Sequence, residues 1–533
     1  MIGFLVTKFC MISKEWRRAF FVRWLPLAVT VVALAATAIA FSRAAEASDL
    51  SVAREFDAEG LDPHRHGGTR SMQVTNLIFD TLLAMDRDGA IYPGLATAWH
   101  ASEDGKTYAL TIRDDVKCHD GTVLDAAAVK ASIDRATDPA TLNPNAETWG
   151  PIKSTSVSGN VVRIDLSEPF GPFLSFLTSM PSAIICPASV SGDKYQPVGT
   201  GPFMLDKWTR DDQMELAANP DYRNFNPLIE NPGQPHIDRL ILRTIPDAVA
   251  RMAALRSGEV DMAEPSLEEA GDLRADADLR LYAAERSGQL VFAGYTWKIP
   301  PFNDPAIRMA IAMALNRKAY AEVAFAGLAK VSDCPVAEGL FAFDPEQCAA
   351  WLPPYDPERA RALLAKAGYG PKNPLAIKLL GPRRDGWVAA YQMMQQDLAE
   401  VGIEAEIDTR DPSSFIEQIS GLNVASDGKP ALWTFGISGV DPDYLYFVWK
   451  RPGFANMGIN EELDALLEQQ RRLSGTTRSA NIHEIEKYLL ENQYMIPLLS
   501  PGWSWLMAHS PRVEGFKMGF MASQYFNDVK VAE

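Results

Sequence analysis

Few side chains in this sequence are placed to do chemistry, and most of those lie in loops. Near the C-terminal end, LWTFGISGVDPDYLYF (Leu432 to Phe447) sets two carboxylates, Asp441 and Asp443, one residue apart beside a Gly-broken, aromatic-rich stretch. Two close carboxyls could divide general acid and base roles, as in glycoside hydrolysis. An Asp-Pro-Asp turn before a helix-like segment has a simpler use. Pro442 fixes φ, one Asp caps the helix and the other lies near its positive end. Capping is the expectation here, and no catalytic residue is assigned. His64 and His66, in LDPHRHGGTR, form the only close histidine pair, but no Cys or third His lies nearby, so no metal is assigned to them. H-E-x-x-H, G-x-S-x-G and P-loop patterns are absent, which leaves zinc-protease, serine-hydrolase and nucleotide-hydrolase readings without a motif. Arg383 and Arg384, in LLGPRRDGW, follow a strand-like run and precede a helix-like one. They are either a solvated turn or an anion clamp at the C-terminal edge of a sheet. Trp433, Phe435, Tyr444, Tyr446 and Phe447 are mostly core by type, although a strand end broken by Gly436 lets some groups face a cavity.

The elements that must position these groups alternate along the chain. Tyr108 to Arg113, Val161 to Leu166, Arg239 to Ile245 and Leu375 to Leu380 show the period-two pattern of half-buried strands. Asp304-Pro305 and Asp356-Pro357 each read as an N-cap followed by a first helical turn. The first of these helices is expected to run to Gly327 and the second to Gly368. Trp387 to Val401 is a third helix, followed by Gly402 and the strand IEAEI. The mixture implies an α/β fold with mixed sheets.

A chain of 533 residues exceeds one core. Its net charge of -17 disfavours nucleic acid and anionic membrane as partners, since both require a basic face. Residues 1–47 read as a cleaved export signal. Lys8, Lys14, Arg17, Arg18 and Arg23 precede the apolar run Leu25 to Phe41, and Ala45-Glu46-Ala47 supplies the cleavage site. Removal leaves Cys118, Cys186, Cys334 and Cys348, an even number that suits disulfides in an exported chain. Cys334 and Cys348 bracket a short loop and are expected to pair. Cys118 and Cys186 are either a second bridge or two buried thiols.

Seven stretches fall into one order. Leu61 to Trp99 (LDPHRHGGTR…) and EDGKTYALTIRDDVKCHDGT come first, then PVGTGPFMLDKW and IPDAVARMAALRSGEVDMAE. PFNDPAIRMAIAMALNRKAY, YDPERARALLAKAGY and GVDPDYLYF follow. Together they resemble the extracytoplasmic solute-binding proteins of family 5, the dipeptide, oligopeptide and nickel class that serves ABC importers. The resemblance implies a periplasmic, non-enzymatic, monomeric protein without cofactor that captures a small solute and delivers it to permease subunits at the inner membrane. It implies two α/β lobes joined by two crossings, closing on a ligand between them. Lobe I would take 48–293 and 495–533, with an extra subdomain near 90–190. Lobe II would take 294–494, with the crossings near Gly294-Tyr295 and Pro497-Leu498.

The resemblance also implies which loops meet the ligand. These are Gly67, Gly68 and Thr69 after the first strand, the loop Pro382-Arg383-Arg384 that supplies a carboxylate-binding arginine, and the wall Trp433, Phe435, Gly436, Ile437 and Ser438, with Asp441 as a reserve acid. Dipeptide binders carry an aspartate for the ligand's ammonium at the position that is Ser438 here. A buried ammonium without a counter-charge is strongly disfavoured. The departure therefore points to an anionic or neutral-polar solute, such as an opine-like or sugar-acid conjugate, a phosphodiester or an oligosaccharide. The alternatives are a peptide binder that uses another acid, such as Asp441, a secreted hydrolase, and a chaperone-like protein.

Overall fold

The computed structural model describes residues 48–532 except 193, 285–287, 385, 422–428, 453–456 and 502–504, so the export signal read in 1–47 lies outside the described residues. Two mixed sheets carry the fold. The first orders its strands Arg280–Ala283, Leu506–His509, Met262–Ala263, Asp49–Arg54, Arg239–Thr244, Gln213–Ala218 and Phe203–Thr209. Asp49–Arg54 runs parallel to both Arg239–Thr244 and Met262–Ala263, so the three strands end at one edge. The second sheet orders Ala329–Val331, Met495–Pro501, Gln289–Tyr295, Ala431–Ser438, Leu375–Pro382 and Ile403–Arg410, and its last three strands are also mutually parallel. Carboxyl ends of parallel strands are where open α/β sheets place their ligands. The Arg54, Ala263, Pro382 and Ser438 ends all belong to this class.

Burial explains why the strand Ala431–Ser438 reads as nearly continuous apolar sequence. Leu432 joins a core on one face, with Leu379 and Tyr391, and Trp433 and Ile437 join a second core on the other, with Phe292 and Trp449. Strands covered on both faces lose the alternating pattern. The same sheet relocates the crossings. Gln289–Tyr295 pairs along its length with Ala431–Ser438, and Met495–Pro501 pairs with Gln289–Tyr295 and Ala329–Val331. Both strands lie wholly in the second sheet, where the sequence reading had split one at 293/294 and given the other to lobe I. With strand pairing as the divide, the chain changes sheets between Ala283 and Gln289 and between Pro501 and Leu506.

A third, four-stranded sheet orders Ala96–Ala101, Thr107–Ile112, Val161–Leu166 and Ile152–Ser158 over a separate core that runs from Leu82 to Cys186. The Cys118–Cys186 disulfide closes this subdomain, and Cys334–Cys348 forms a second bridge. The helix begun at Asp304 ends at Ala314, short of Gly327. Leu315 is extended, and Asn316 starts a new turn by accepting from the Ala319 N–H at 3.2 Å. The helix Pro357–Lys366 is capped by Asp356 and stops before Gly368, whose φ of +91° suits glycine.

Glu486 is fully buried beside the Cys334–Cys348 bridge. One carboxyl oxygen accepts from the Val336 N–H at 3.1 Å and the other has no partner among the described residues. Burial pushes its pKa from 4.5 up to about 8. The folded protein therefore keeps the proton that the unfolded chain loses, and stability falls as pH rises from about 4.5 to about 8. Glu486→Gln is expected to flatten that slope and to gain up to a few kcal/mol at alkaline pH, at about 1.4 kcal/mol per pH unit. Melting temperatures of both proteins across this range check it, and parallel curves would refute it.

Candidate functional site

The loop that follows Asp49–Arg54 leads through Gly67 and Gly68 into the helix Thr69–Ile78. A Cβ on Gly68 would lie 2.3 Å from a Glu59 carboxylate oxygen, and one on Gly67 would lie 2.7 Å from the Asn145 amide nitrogen. The glycines thus make room for Glu59 and Asn145, which stand where the sequence reading placed ligand. Glu59 is exposed, accepts from Ser71 Oγ at 2.7 Å, and sits against the N-terminal residue of the helix, which has no side-chain cap of its own. An acid is favoured at that positive end.

One turn on, Arg70 bonds Glu264 at 2.5 Å and lies 3.7 Å from Glu55. Buried Arg54 donates to Gln73 at 2.7 Å. Burial opposes ionisation of Glu264, but Arg70 and Arg54 outweigh it and hold its pKa below the usual range. Glu55 and Glu264 are the residues immediately beyond the parallel ends at Arg54 and Ala263, so strand direction brings them together.

The two arginines of the Pro382 loop separate. Arg383 turns back along its own sheet, its amide N–H bonded to the Arg410 carbonyl at 2.6 Å and its guanidinium to the Thr409 carbonyl at 3.2 Å. Arg384 is exposed, and Tyr391 of its own sheet and Arg70 and Glu55 of the first sheet are near enough to act on its charge. Partial desolvation lowers its pKa, and the like charge of Arg70 adds to that.

Along the wall, Trp433 is 1% exposed and packs edge-on to Phe292 at 5.6 Å, over the bare Cα of Gly294. Ile437 is also buried. Both are core residues, which corrects their assignment to a ligand surface. Thr434 ties the strand to Tyr391 through a 2.8 Å hydroxyl bond. Phe435 is half-buried, Gly436 is exposed, and Ser438 sits at the strand end opposite Gln289. Gln289 in turn accepts from Trp505 Nε1 at 3.1 Å. Gln289, Trp505, Glu55, Glu59, Arg70 and Glu264 were missed from sequence, because only folding brings these separated segments together.

Asp441 has a different role from the one reserved for it. It is 7% exposed, and the Arg478 guanidinium grips it with bonds of 2.8 and 2.5 Å. Its Oδ1 also accepts from the Asp443 N–H at 2.9 Å, which closes a turn just ahead of the helix Tyr444–Trp449, so neither aspartate supplies the side-chain cap that the sequence leads one to expect. Asp443 makes no side-chain cap and instead receives Arg471 at 2.8 and 2.7 Å and Gln470 at 2.5 Å. Burial works against the charge of both. Arg478 overcomes it at Asp441, whose pKa is lowered, whereas at Asp443 burial prevails over Arg471 and the pKa is raised. Every carboxyl oxygen of the two acids already accepts from a side chain of the same lobe, so Asp441 is committed to Arg478 and Asp443 to Arg471.

Arg471 and its neighbour Arg472 also reach the subdomain. The Gly171 N–H donates to the Arg471 carbonyl at 2.6 Å, and Arg472 pairs with Glu168 at 3.3 Å. His64 is held separately, with Nε2 at 2.9 Å from the Ala183 carbonyl and Nδ1 at 2.9 Å from Arg135.

Removing one partner of a buried ion pair leaves the other uncompensated, at a cost of about 3–5 kcal/mol. Asp441→Asn and Arg478→Met are each expected to lower the unfolding free energy by that order. The double variant should lose less than the sum of the two. Denaturant titration of all four proteins measures this coupling, and additive losses would refute it.

Comparison with known proteins adds the following. Residues 90–456 match the family model of bacterial extracellular solute-binding proteins, family 5. The glutathione-binding protein GsiB of Escherichia coli K12 is 30% identical over 505 residues, covering 90% of this chain and 94% of that protein. NikA from Brucella suis, solved with Fe(III)-EDTA, superposes with a TM-score of 0.79 at 24% identity, covering 91% of this chain and 99% of that one. AgaA from A. tumefaciens R10, solved with agropinic acid, gives 0.70 at 24% identity over 91% and 99%. At these identities the solved structures establish the two-lobed fold alone.

Proposed function

From the chain's membership of the bacterial extracellular solute-binding proteins of family 5, we propose that it captures a small, polar, carboxylate-bearing solute by lobe closure and hands it to an ABC permease. Opine-like, sugar-acid and peptide-like conjugates are the solute classes that fit. The observation that supports this reading is Arg384, an exposed guanidinium two residues past the end of Leu375–Pro382 and near enough to Glu55 and Arg70 of the first sheet for their charges to act on it. A guanidinium between two lobes can take a carboxylate through a planar, bidentate pair. Ser438 offers hydrogen bonds but no charge, which suits a solute without an ammonium at that end. The family binds solutes and does not transform them. The likeness to the periplasmic binding protein DppA from Helicobacter pylori, with a TM-score of 0.71 at 24% identity, supports periplasmic residence, and the signal read in 1–47 supports export. We take the protein as a monomer.

A second reading has its own observation. GsiB is named for glutathione, a peptide with a free amino group, and Glu59 is an exposed carboxylate at the N-terminal end of Thr69–Ile78. A peptide would then place its ammonium at Glu59 and its carboxylate at Arg384.

Calorimetry with glutathione, dipeptides, opines and sugar-acid conjugates, followed by variants, tests both readings. Arg384→Met should weaken the best solute by about tenfold or more, and Arg383→Met by much less. Equal effects of the two substitutions, or binding untouched by either, would overturn the assignment. Loss with Glu59→Gln as well would favour the peptide reading.

A further inference from the structure

A cavity of about 80 Å³ lies apart from the charged groups of the cleft, between the helix Thr69–Ile78, the segment 222–229 and the C-terminal residues 520–527. That is several times the ~10–15 Å³ that a single water requires. Among the described residues its lining leaves buried polar atoms without partners, the Asn76 Oδ1 and both side-chain polar atoms of Asn527. Asn76 is 7% exposed, and its Nδ2 donates to the Gln524 carbonyl at 2.8 Å. That bond fixes the orientation of the amide and leaves Oδ1 as a buried acceptor with no partner among the described residues. Asp80 adds a carboxylate. Thr200 Oγ1 donates to it at 2.7 Å and the Tyr222 hydroxyl stands 3.5 Å away, but among the described residues it makes no ion pair.

The cation that acts on Asp80 from a distance, Arg113, is engaged elsewhere. Its Nε bonds the Gly94 carbonyl at 2.7 Å and its guanidinium lies 4.1 Å from the centre of the Phe225 ring. Burial pushes the Asp80 pKa up to about 6, so the group is mostly ionised at neutral pH. A half-buried carboxylate without an ion-pair partner among the described residues and a buried amide carbonyl without a donor each cost free energy, and one cationic donor would relieve both. Met72, Met85 and Phe79 give the rest of the lining an apolar surface suited to an alkyl group.

We propose that this cavity is a second binding site, for a small primary ammonium compound whose N–H groups are shared between Asp80 and Asn76 and whose alkyl part packs on Met72, Met85 and Phe79. The cavity shares Val440 with the turn after Ser438 but uses none of the cleft's charged groups, and the proposal does not depend on which solute the cleft takes.

Calorimetry of the mature protein with ethylammonium chloride at neutral pH tests the proposal, with potassium chloride and neutral acetamide as matched probes. Saturable heat is expected with ethylammonium and none with the other two. The titratable groups facing Asp80 are Tyr222, whose pKa is raised well above 10, and Arg113, so Asp80 alone changes charge between about pH 5 and neutrality. Affinity should therefore fall by about tenfold at pH 5. Asp80→Asn should abolish binding. Ala84→Phe, which fills the cavity and leaves Asp80 in place, should do the same and decides the matter if the first variant does not fold. Absent heat, equal binding of potassium or acetamide, or binding that survives Ala84→Phe would overturn the proposal.

Discussion

The wall of the cleft depends on one buried ion pair, Asp441 with Arg478. Two charges so far from water are tolerated only if each satisfies the other, and the pair is complete on both sides. Arg478 lies in the helix Gly475–Glu491 and bonds both Asp441 and Gln470. Asp441 at the same time closes the turn ahead of the helix that follows the wall, and its neighbour Asp443 receives Arg471, whose carbonyl takes the Gly171 N–H of the subdomain. The turn after Ser438 is thereby held by the second lobe's helices and by the subdomain together. The consequence for function is subtractive. The most obvious acids in the sequence are paired inside the protein, and in the proposed site the charges offered to a solute are those at the strand ends, Arg384 on one sheet and the Glu55, Glu59, Arg70 and Glu264 group on the other.

Strand direction gives this arrangement its economy. Each sheet contains a set of parallel strands, and their carboxyl ends supply the site: Arg54 and Ala263 lead into Glu55 and Glu264, Pro382 leads into Arg384, and Ser438 ends the wall. Rigid strands hold the backbone while the loops carry the chemistry, a division common to α/β binding sites. The helix Thr69–Ile78 extends the scheme, since its first turn carries Arg70 and its later residue Asn76 reaches the separate cavity around Asp80.

Much of the fold was legible from local rules. Asp356-Pro357 and Gly368 delimited a helix because capping and positive φ are set by adjacent residues, and exposed-face alternation located Thr107–Ile112 and Val161–Leu166. Ordered motifs carried the family. What local rules could not supply was partnership across long separations. Asp441 and Arg478 lie 37 residues apart, and nothing in DPD announces the arginine. Trp433 looked like a ligand-facing aromatic because periodicity cannot say that both faces of a strand are covered. The lobe boundaries slipped because sheet membership is a pairing property, and Asn316 ended a helix that its apolar stripe would have continued. Glu59 was overlooked because its meaning comes only from lying over Gly68.

The central claim is that this cleft reads a carboxylate through Arg384 and has no aspartate at position 438 to require an ammonium. Calorimetric comparison of a carboxylate-bearing solute with its own N-acylated form tests this most directly, since the pair differ only in the charge at issue. The account predicts that acylation leaves affinity unchanged or improves it. Sub-micromolar binding of the amine form that is lost on acylation would contradict it.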